Sequence, residues 1–286
     1  MIKNSIWHHR FMGSKEKYRE GKIIMVGAPM DYSVSYRPGT RYGPQKIREV
    51  SYVLEEYSPY INRELSEIEF FDYGDIELPF GNIEESLKII YNATLEILGD
   101  NKKPLFIGGE HLINLPIVKG IFERYGDDLI LLHFDAHADL RESYLGQKHS
   151  HASVIRRILD FFPANNVYQM GIRSGTKEEF EYGKGHTHLF LYDVVEPVKN
   201  IVDKIYGKPI YITLDIDVFD PAFAEGTGTP EPGGCTPNDM LKVTQMLKGQ
   251  NVVGFDLVEV SPIYDASDKT AILAAKVIRE SLLSFL

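Results

Sequence analysis

The segment ILLHFDAHADLRES, residues 130–143, begins as an apolar run and continues with chemically reactive side chains at every second position. These side chains are His133, Asp135, His137 and Asp139. A buried strand does not tolerate unpaired charge, because desolvation of the charge is too costly. Residues two apart on an extended strand point to the same side. The spacing therefore predicts that Asp135 and His137 face together where the strand ends.

Two other apolar runs end in similar residues. LFIGGEH ends in Glu110 and His111, and YITLDIDVFDP contains Asp215 and Asp217. In parallel α/β sheets the ligand site lies beyond the carboxyl ends of the strands. We therefore expect the three segments to converge, with Asp139 just past its strand and folded back toward the same centre.

Such a convergence would bring four carboxylates and two imidazoles together. Without cations the carboxylates would repel one another and take up protons. Two divalent cations would cancel the four negative charges, and mixed Asp/His ligation without thiolate indicates a hard ion. We predict two Mn²⁺, with Mg²⁺, Zn²⁺, Fe²⁺ or Co²⁺ as alternatives. The predicted metal ligands are His111, Asp135, His137, Asp139, Asp215 and Asp217.

Three other features are excluded from this site. His133 is nearer the apolar run and is interpreted as a core histidine with satisfied hydrogen bonds. The histidines of the HTH segment, residues 186–188, are assigned to a surface turn because glycines precede them. GTGTPEPGG lacks the Lys-Ser/Thr of a phosphate loop, and Cys235 after it is interpreted as a passive small residue.

Composition limits the class of protein. The chain has 286 residues, 43% hydrophobic and 25% charged, as in soluble globular proteins. We expect one domain over residues 1–286. The net charge of −10 argues against nucleic acid or an anionic membrane as a partner. The single cysteine rules out an internal disulfide, and no apolar run suits a secretory signal or a membrane span. A cytoplasmic location is expected.

The elements that must position the site form an alternating pattern. Seven continuous apolar runs suit parallel strands covered on both faces: KIIMVGAPM, IEFFDYG, PLFIGG, LILLHFD, NVYQMGI, PIYITLDIDV and NVVGFDLVEV. Helical patterns lie between them. One helix is predicted after an Asn82 N-cap, one before Pro163, one from capping residues at Thr236 to Gly249, and one at the C-terminus. This alternation predicts a mostly parallel sheet between helix layers.

Taken together, these motifs resemble the ureohydrolase family, which contains the arginases and agmatinases. GGEH, FDAHADL, SHAS, LDIDVFDPAFAEGTGTPEPGG and GFDLVEVSPIYDASDKTA occur in the family's order. The resemblance implies an α/β fold with three α-β-α layers, a mostly parallel eight-stranded sheet and a dimanganese centre. It assigns His111, Asp135, Asp139 and Asp215 to one metal, and Asp135, His137, Asp215 and Asp217 to the other. Trimers or hexamers are usual in the family.

The resemblance also implies catalytic roles. A guanidinium carbon is a poor electrophile, and hydroxide formed from a water between two metals is a nucleophile strong enough to attack it. The departing amine must gain a proton. The family pattern places a histidine for this proton at His151, in KHSHAS. It places an acid that holds the guanidinium by paired hydrogen bonds at Glu259, in DLVEVSP, and Asp217 is a further expected substrate contact.

The pattern resembles bacterial agmatinases more than arginases. Arginases read the α-carboxylate of arginine with an SGNLHG-like segment, where this chain has YLGQKHSHAS. They have an acid after GLR, where this chain has Ser174. Since a carboxylate without partners would bind poorly, the expected reaction is hydrolysis of agmatine to putrescine and urea.

Alternatives remain open at this stage. Leu112 follows GGEH where many relatives have Ser or Thr, and Glu225 stands in FAEGTGTP where relatives often have Pro. Guanidinobutyrate or arginine is therefore an alternative substrate. A two-metal phosphoesterase is disfavoured, because Gly74 and Asp75 precede the Asp-x-His motif. A non-catalytic protein that binds metal or polyamines is disfavoured because every expected ligand is present, as are His151 and Glu259.

Overall fold

The structure is a computed structural model that describes residues 5–6 and 9–285. Within these residues it contains eleven β-strands and eight α-helices. The strands are β1 (Ser5–Ile6), β2 (Ile23–Ala28), β3 (Tyr57–Ser58), β4 (Arg63–Glu64), β5 (Phe70–Ile76), β6 (Lys103–Gly108), β7 (Ile130–Phe134), β8 (Val167–Ile172), β9 (His188–Leu191), β10 (Ile210–Asp215) and β11 (Val252–Val258). The helices are α1 (Gly43–Ser51), α2 (Ile83–Gly99), α3 (Asn114–Tyr125), α4 (Val154–Ile158), α5 (Lys177–His186), α6 (Val195–Ile201), α7 (Pro237–Met246) and α8 (Lys269–Phe285).

One large sheet organises the molecule, with strand order β1-β5-β2-β6-β11-β10-β7-β8-β9. Eight of its strands are parallel, and the short edge strand β1 pairs antiparallel with β5. The expected eight-stranded parallel sheet is therefore confirmed. β3 and β4 form a separate antiparallel pair.

Two helix layers cover the sheet, one on each face. Helices α1, α6, α7 and α8 pack on one face, and α2, α3, α4 and α5 pack on the other. The strands supply side chains to both faces in alternation: Met25 of β2 faces the first layer and Ile24 faces the second. This explains why the strand sequences are continuously apolar, and it confirms the expected three-layer α-β-α fold.

Local sequence signals set several helix boundaries. Asn82 caps α2 by accepting a hydrogen bond from the backbone N–H of Glu85 at 3.1 Å. Thr236 caps α7 through a reciprocal capping box with Asp239. α7 ends at Met246, before the predicted Gly249, and α4 ends at Ile158, well before Pro163.

The assignment of residues 186–188 to a surface turn is wrong. His186 ends α5, and His188 begins β9, an edge strand that the sequence patterns missed. The ring of His186 stacks on that of Tyr182 with centroids 3.9 Å apart, and the ring of His188 stacks on that of Tyr168 with centroids 4.3 Å apart. Both imidazoles therefore pack on neighbouring aromatic rings. Among the described residues no helix has the length and apolar character needed to span a membrane.

Candidate metal centre

The sheet order brings the candidate residues to one edge. β6, β11, β10 and β7 are neighbours in the sheet, and each is followed by a predicted site residue. His111 follows β6, Glu259 follows β11, Asp215 ends β10 and Asp135 follows β7. Because these strands are parallel, their carboxyl ends meet at the same edge. The expected convergence of the strand ends is therefore present.

A first group of side chains surrounds the imidazole of His111. Its Nδ1 atom lies 3.0 Å from Oδ2 of Asp135, 3.3 Å from Oδ2 of Asp139 and 3.3 Å from Oδ2 of Asp215. All four residues are buried. Oxygen and nitrogen ligands about 2.0–2.2 Å from one octahedral ion lie about 3 Å from one another. The spacing in this group has that magnitude.

The hydrogen bonds of His111 fix which of its nitrogens faces the carboxylates as an acceptor. Its Nε2 lies 2.9 Å from Oγ1 of Thr213, and that hydroxyl donates to Asp256 at 2.7 Å. The hydroxyl proton is thus used, so Nε2 of His111 must donate to Thr213. Nδ1 is then the nitrogen that faces the three carboxylate oxygens, and once it gives up its proton it presents a lone pair to a cation placed among them. Four electron donors facing one another fit a cation between them.

A second group adjoins the first through Asp135. Nδ1 of His137 lies 3.0 Å from Oδ2 of Asp217 and 3.6 Å from Oδ1 of Asp135. Asp135 therefore presents one oxygen to each group, as a carboxylate shared by two cations would. Oδ2 of Asp215 faces the first group, and its Oδ1 accepts a hydrogen bond from the backbone N–H of Asp217 at 2.9 Å, as Oδ1 of Asp135 does from that of His137 at 2.6 Å. The role of Asp215 as a second bridge stays a prediction. Two clusters of possible ligands fit two divalent cations: one contains His111, Asp135 and Asp139, with His133 beside them, and the other contains Asp135, His137 and Asp217.

Two site residues have left-handed backbone conformations. Asp139 has φ of 53° and Glu259 has φ of 66°. Non-glycine residues adopt such values at a cost, and they cluster at functional sites. At Asp139 the turn brings the carboxylate back toward His111, as the sequence predicted for a residue just past the strand end.

The titration behaviour of the groups reflects concentrated negative charge. Burial raises the pKa of Asp139, Asp215 and Asp217 above the ordinary range. Burial also opposes ionisation of Asp135, but hydrogen bonds with the adjacent imidazoles outweigh it and hold its pKa well below the usual range. Burial lowers the pKa of His111, yet the surrounding carboxylates raise it well above the usual range. Protons on these groups compete with any cation.

His151 lies between a carboxylate and a backbone amide. Its Nδ1 is 3.2 Å from Oε1 of Glu259, and its Nε2 accepts a hydrogen bond from the backbone N–H of Ser35 at 3.0 Å. The same Oε1 accepts from the backbone N–H of His111 at 2.8 Å. Oε2 of Glu259 is buried and has no partner. That oxygen alone is left for a further ligand, so this geometry does not offer both oxygens of Glu259 as the paired acceptor that the resemblance implies.

The loop that holds His151 was not predicted from the sequence patterns. Ser33 donates to Oε2 of Glu110 from its backbone N–H at 2.7 Å and from its hydroxyl at 2.9 Å. The same hydroxyl accepts from the backbone N–H of His151 at 2.9 Å. Gly109 permits this approach, since a Cβ there would lie 1.9 Å from the carbonyl oxygen of Met30. The position of this loop was a signal that could have identified it: DYSVSY follows β2, and ligand sites in parallel sheets lie beyond the carboxyl ends of the strands.

A cavity of about 240 Å³ opens onto both groups. His137, Asp139 and Asp215 line it together with His151. Glu179 and Arg141 also line it. Glu225, which the sequence suggested as a residue at the entrance, is not among the lining residues and lies 3.3 Å from Nζ of Lys269.

Comparisons with known proteins agree with this architecture. The model of the arginase family matches residues 21–284. An agmatinase of Bacillus cereus is 50% identical over 278 residues, which is 96% of each chain. An agmatinase of Bacillus subtilis is 49% identical over the same share of both chains. The crystal structure of agmatine ureohydrolase of Thermoplasma volcanium superposes with a TM-score of 0.89 at 32% identity, covering 98% of this chain and 95% of the other. The resemblance seen in the motifs is confirmed, and the chain belongs to the arginase family.

Proposed function

We propose that this protein is an agmatinase, which hydrolyses agmatine to putrescine and urea at a centre of two Mn²⁺ ions. The observation that carries the proposal is the shared cavity. His137, Asp139 and Asp215 of the two groups line the same space as His151. A guanidinium bound there would meet the metal centre on one side and a proton-carrying imidazole on the other.

The residues proposed to hold the cations are those of the two groups. His111, Asp135, Asp139 and Asp215 would hold one, and Asp135, His137, Asp215 and Asp217 would hold the other. When bound, the cations neutralise the carboxylates and activate a water for attack on the guanidinium carbon. Mn²⁺ is proposed because imidazole and carboxylate ligands without thiolate suit it.

His151 is proposed to supply the proton that the departing amine needs. An amine cannot leave as an anion, so the C–N bond breaks as the nitrogen is protonated. The carboxylate of Glu259, 3.2 Å from Nδ1, stabilises the protonated ring. In the protonated ring Nε2 is a donor, and the hydroxyl of Ser35, 3.0 Å away, can accept from it in place of the contact with the Ser35 amide.

Glu259 is proposed to bind the guanidinium through Oε2. This oxygen is buried and has no partner, whereas Oε1 already accepts two hydrogen bonds. A buried carboxylate oxygen without a donor is costly, and a guanidinium N–H would satisfy it. Asp217, whose Oδ2 also lies 3.4 Å from Oγ1 of Thr229, is proposed as a further contact.

Glu179 is proposed to bind the distal ammonium of agmatine. It is the one carboxylate among the cavity-lining residues that lies outside the two metal groups. Its side chain is held by the backbone N–H groups of Leu140 at 3.1 Å and Thr176 at 2.8 Å. A fixed, buried carboxylate favours a substrate with a positive charge at that end.

Arg141 supports a second candidate substrate. Its Nε lies 3.5 Å from Oε2 of Glu179, and its side chain also lines the cavity. If Arg141 faces the ligand in place of Glu179, the distal end would be a carboxylate and the substrate guanidinobutyrate. Agmatine is preferred, because Glu179 is 4% exposed and anchored by two amides, whereas the side chain of Arg141 is 36% exposed.

A urea-release panel tests the proposal. The purified protein, loaded with Mn²⁺, is assayed for urea with agmatine, arginine and guanidinobutyrate, and for formamide with formiminoglutamate, whose formimino group cannot yield urea. We expect urea and putrescine from agmatine in equal amounts, with kcat/KM at least about tenfold above the other compounds, since one buried charge pair is worth that much. Urea from guanidinobutyrate but not from agmatine would replace the proposal with the second candidate. We also propose a cytoplasmic trimer or hexamer, as is usual in the family, and light scattering in solution tests the oligomer size.

A further inference from the structure

A third imidazole stands beside the first metal group. Nε2 of His133 lies 2.8 Å from Oδ2 of Asp135, closer than Nδ1 of His111 does. His133 is fully buried, and its ring centroid is 5.2 Å from that of His111. By position it is either another metal ligand or a hydrogen-bond donor to Asp135. Which of its two ring nitrogens carries the hydrogen decides between these roles.

The side chain of Gln169, on β8, settles the orientation of the groups around His133. Its Nε2 lies 2.8 Å from the carbonyl oxygen of Ala138, which only accepts hydrogen bonds. The amide nitrogen of Gln169 must therefore point that way. Its oxygen then faces the hydroxyl of Thr187 at 2.9 Å and accepts from it. Gln169 is itself fully buried, so water does not offer other partners.

The same amide nitrogen also faces His133. Nε2 of Gln169 lies 3.2 Å from Nδ1 of His133. An N–H donor at this position requires a lone pair on Nδ1, because two N–H groups would repel each other. The ring proton is then on Nε2, where it points at Oδ2 of Asp135. His111 also donates from Nε2, to Thr213, but the nitrogen that it turns toward the carboxylates is Nδ1.

We infer that Gln169 is a positioning residue that keeps His133 as a donor to Asp135 and prevents it from ligating a cation. The inference extends the proposed metal centre: it adds an outer residue to the carboxylate shared by the two groups. A donor on Oδ2 fixes the orientation of the Asp135 carboxylate before a cation arrives. Outer hydrogen bonds of this kind contribute about 10–100-fold to metal affinity.

The protonation of the ring is measured directly by NMR. Protein labelled with ¹⁵N at histidine is studied without metal and with Zn²⁺, which is not paramagnetic. The resonance of His133 is assigned by its loss in His133→Asn. We expect a protonated Nε2 and a bare Nδ1 in both samples of the wild-type protein. A proton on Nδ1, or coordination shifts on either nitrogen of His133 when Zn²⁺ is added, would overturn the inference.

Variants test whether Gln169 has this effect. Gln169→Met keeps the volume and removes the donor. Thr187→Val removes the hydroxyl that contacts the Gln169 oxygen at 2.9 Å and the carbonyl oxygen of Gly183 at 3.2 Å. Gln245→Met is the control on an exposed helix position. In Gln169→Met we expect a mixed protonation pattern at His133 and a Kd for Mn²⁺ raised by about 10–100-fold. Thr187→Val should shift both readouts in the same direction and by less, and it keeps the test open should Gln169→Met fail to fold.

Two results distinguish this inference from the proposed function. An unchanged Kd for Mn²⁺ in folded Gln169→Met and Thr187→Val would overturn the role of Gln169. The NMR readout in metal-free protein is independent of turnover, so it stands even if the wild-type protein does not hydrolyse agmatine. Failure of agmatine hydrolysis with an intact protonation pattern at His133 would count against the proposed function alone.

Discussion

Nδ1 of His151 lies 3.2 Å from Oε1 of Glu259, and both side chains are buried. The contact matters because the same Oε1 also accepts a hydrogen bond from the backbone N–H of His111, the first residue of the metal groups along the chain. The imidazole proposed to move a proton is therefore held at a fixed place relative to the proposed metal site. Its opposite nitrogen is held by Ser35.

Replacement of His151 should separate turnover from metal binding. His151→Asn is expected to keep two Mn²⁺ per chain and to lose about 10²–10⁴-fold in kcat for agmatine, the usual size of a proton-transfer contribution. The matched control is His149→Asn, two residues away and outside the lining of the cavity. Metal content by mass spectrometry and urea release check both variants. Near-normal turnover in His151→Asn would remove this residue from the mechanism.

The pH dependence of turnover follows from the surroundings of His151. Burial lowers its pKa, but the contact with Glu259 and the nearby carboxylates outweigh this and raise the pKa to about 9. A proton donor must be protonated, so kcat/KM should hold at neutral pH and fall as the pH rises through this value. Dications bound nearby would lower this pKa, so the loss of kcat/KM at alkaline pH is expected at or below pH about 9. If kcat/KM of His151→Asn falls at the same alkaline pH as that of the wild-type protein, the fall is due to another group.

Replacement of Asp135 should abolish both metal binding and activity. Its two oxygens face separate groups, so Asp135→Ala removes a ligand from each proposed cation. We expect fewer than two Mn²⁺ per chain and a loss of urea release of at least about 10³-fold, since the activated water depends on the cations. Asp203→Ala, at an exposed position, serves as the control. Full metal content in Asp135→Ala would contradict the assigned ligand set.

Metal affinity should fall as the pH falls. Burial raises the pKa of Asp139, Asp215 and Asp217, and the carboxylates raise that of His111 despite its burial. Groups with raised pKa hold protons that a cation must displace, so binding releases protons and weakens at low pH. Calorimetry of Mn²⁺ binding in buffers of different ionisation enthalpy, at pH 6.5 and 8, measures this release. Binding without proton release, and with equal Kd at both pH values, would contradict it.

Glu179 should determine the preference for a cationic distal end. Butylguanidine has the guanidinium of agmatine and lacks its distal ammonium. In Glu179→Gln we expect kcat/KM for agmatine to fall about tenfold or more while that for butylguanidine stays within twofold. Glu178→Gln, at the adjacent exposed position, is the control. An equal loss for both substrates would indicate that Glu179 acts only as the capping residue of α5.

Much of the sheet was predictable because its strands are buried on both faces. All residues of β10, for example, are buried, and the ends of such apolar runs identify one edge of the sheet. β9 was missed because it lies at the edge of the sheet: His188 is exposed and the other three residues are only partly buried. Edge strands mix polar and apolar residues, so neither strand nor helix periodicity stands out.

The positions of the strand ends predicted the residues that face the site directly. They could not predict the residues that contact and orient those site residues. Gln169 is an ordinary polar residue within an apolar run, and its contacts with His133 and Thr187 join segments distant in the sequence. His133 was interpreted as a core histidine, and its bond to Asp135 depends on the side-chain orientation at the end of β7. Such pairings depend on tertiary geometry, which residue spacing does not encode.

The most direct test of the central claim is the number of Mn²⁺ ions bound per chain when urea release from agmatine reaches its maximum. Metal-free protein is titrated with Mn²⁺, and bound metal and urea are measured in the same samples. The proposed centre predicts no activity without a divalent cation and a maximum at two ions per chain. Full urea release by metal-free protein, or maximal urea release with no Mn²⁺ bound to the chain, would contradict it.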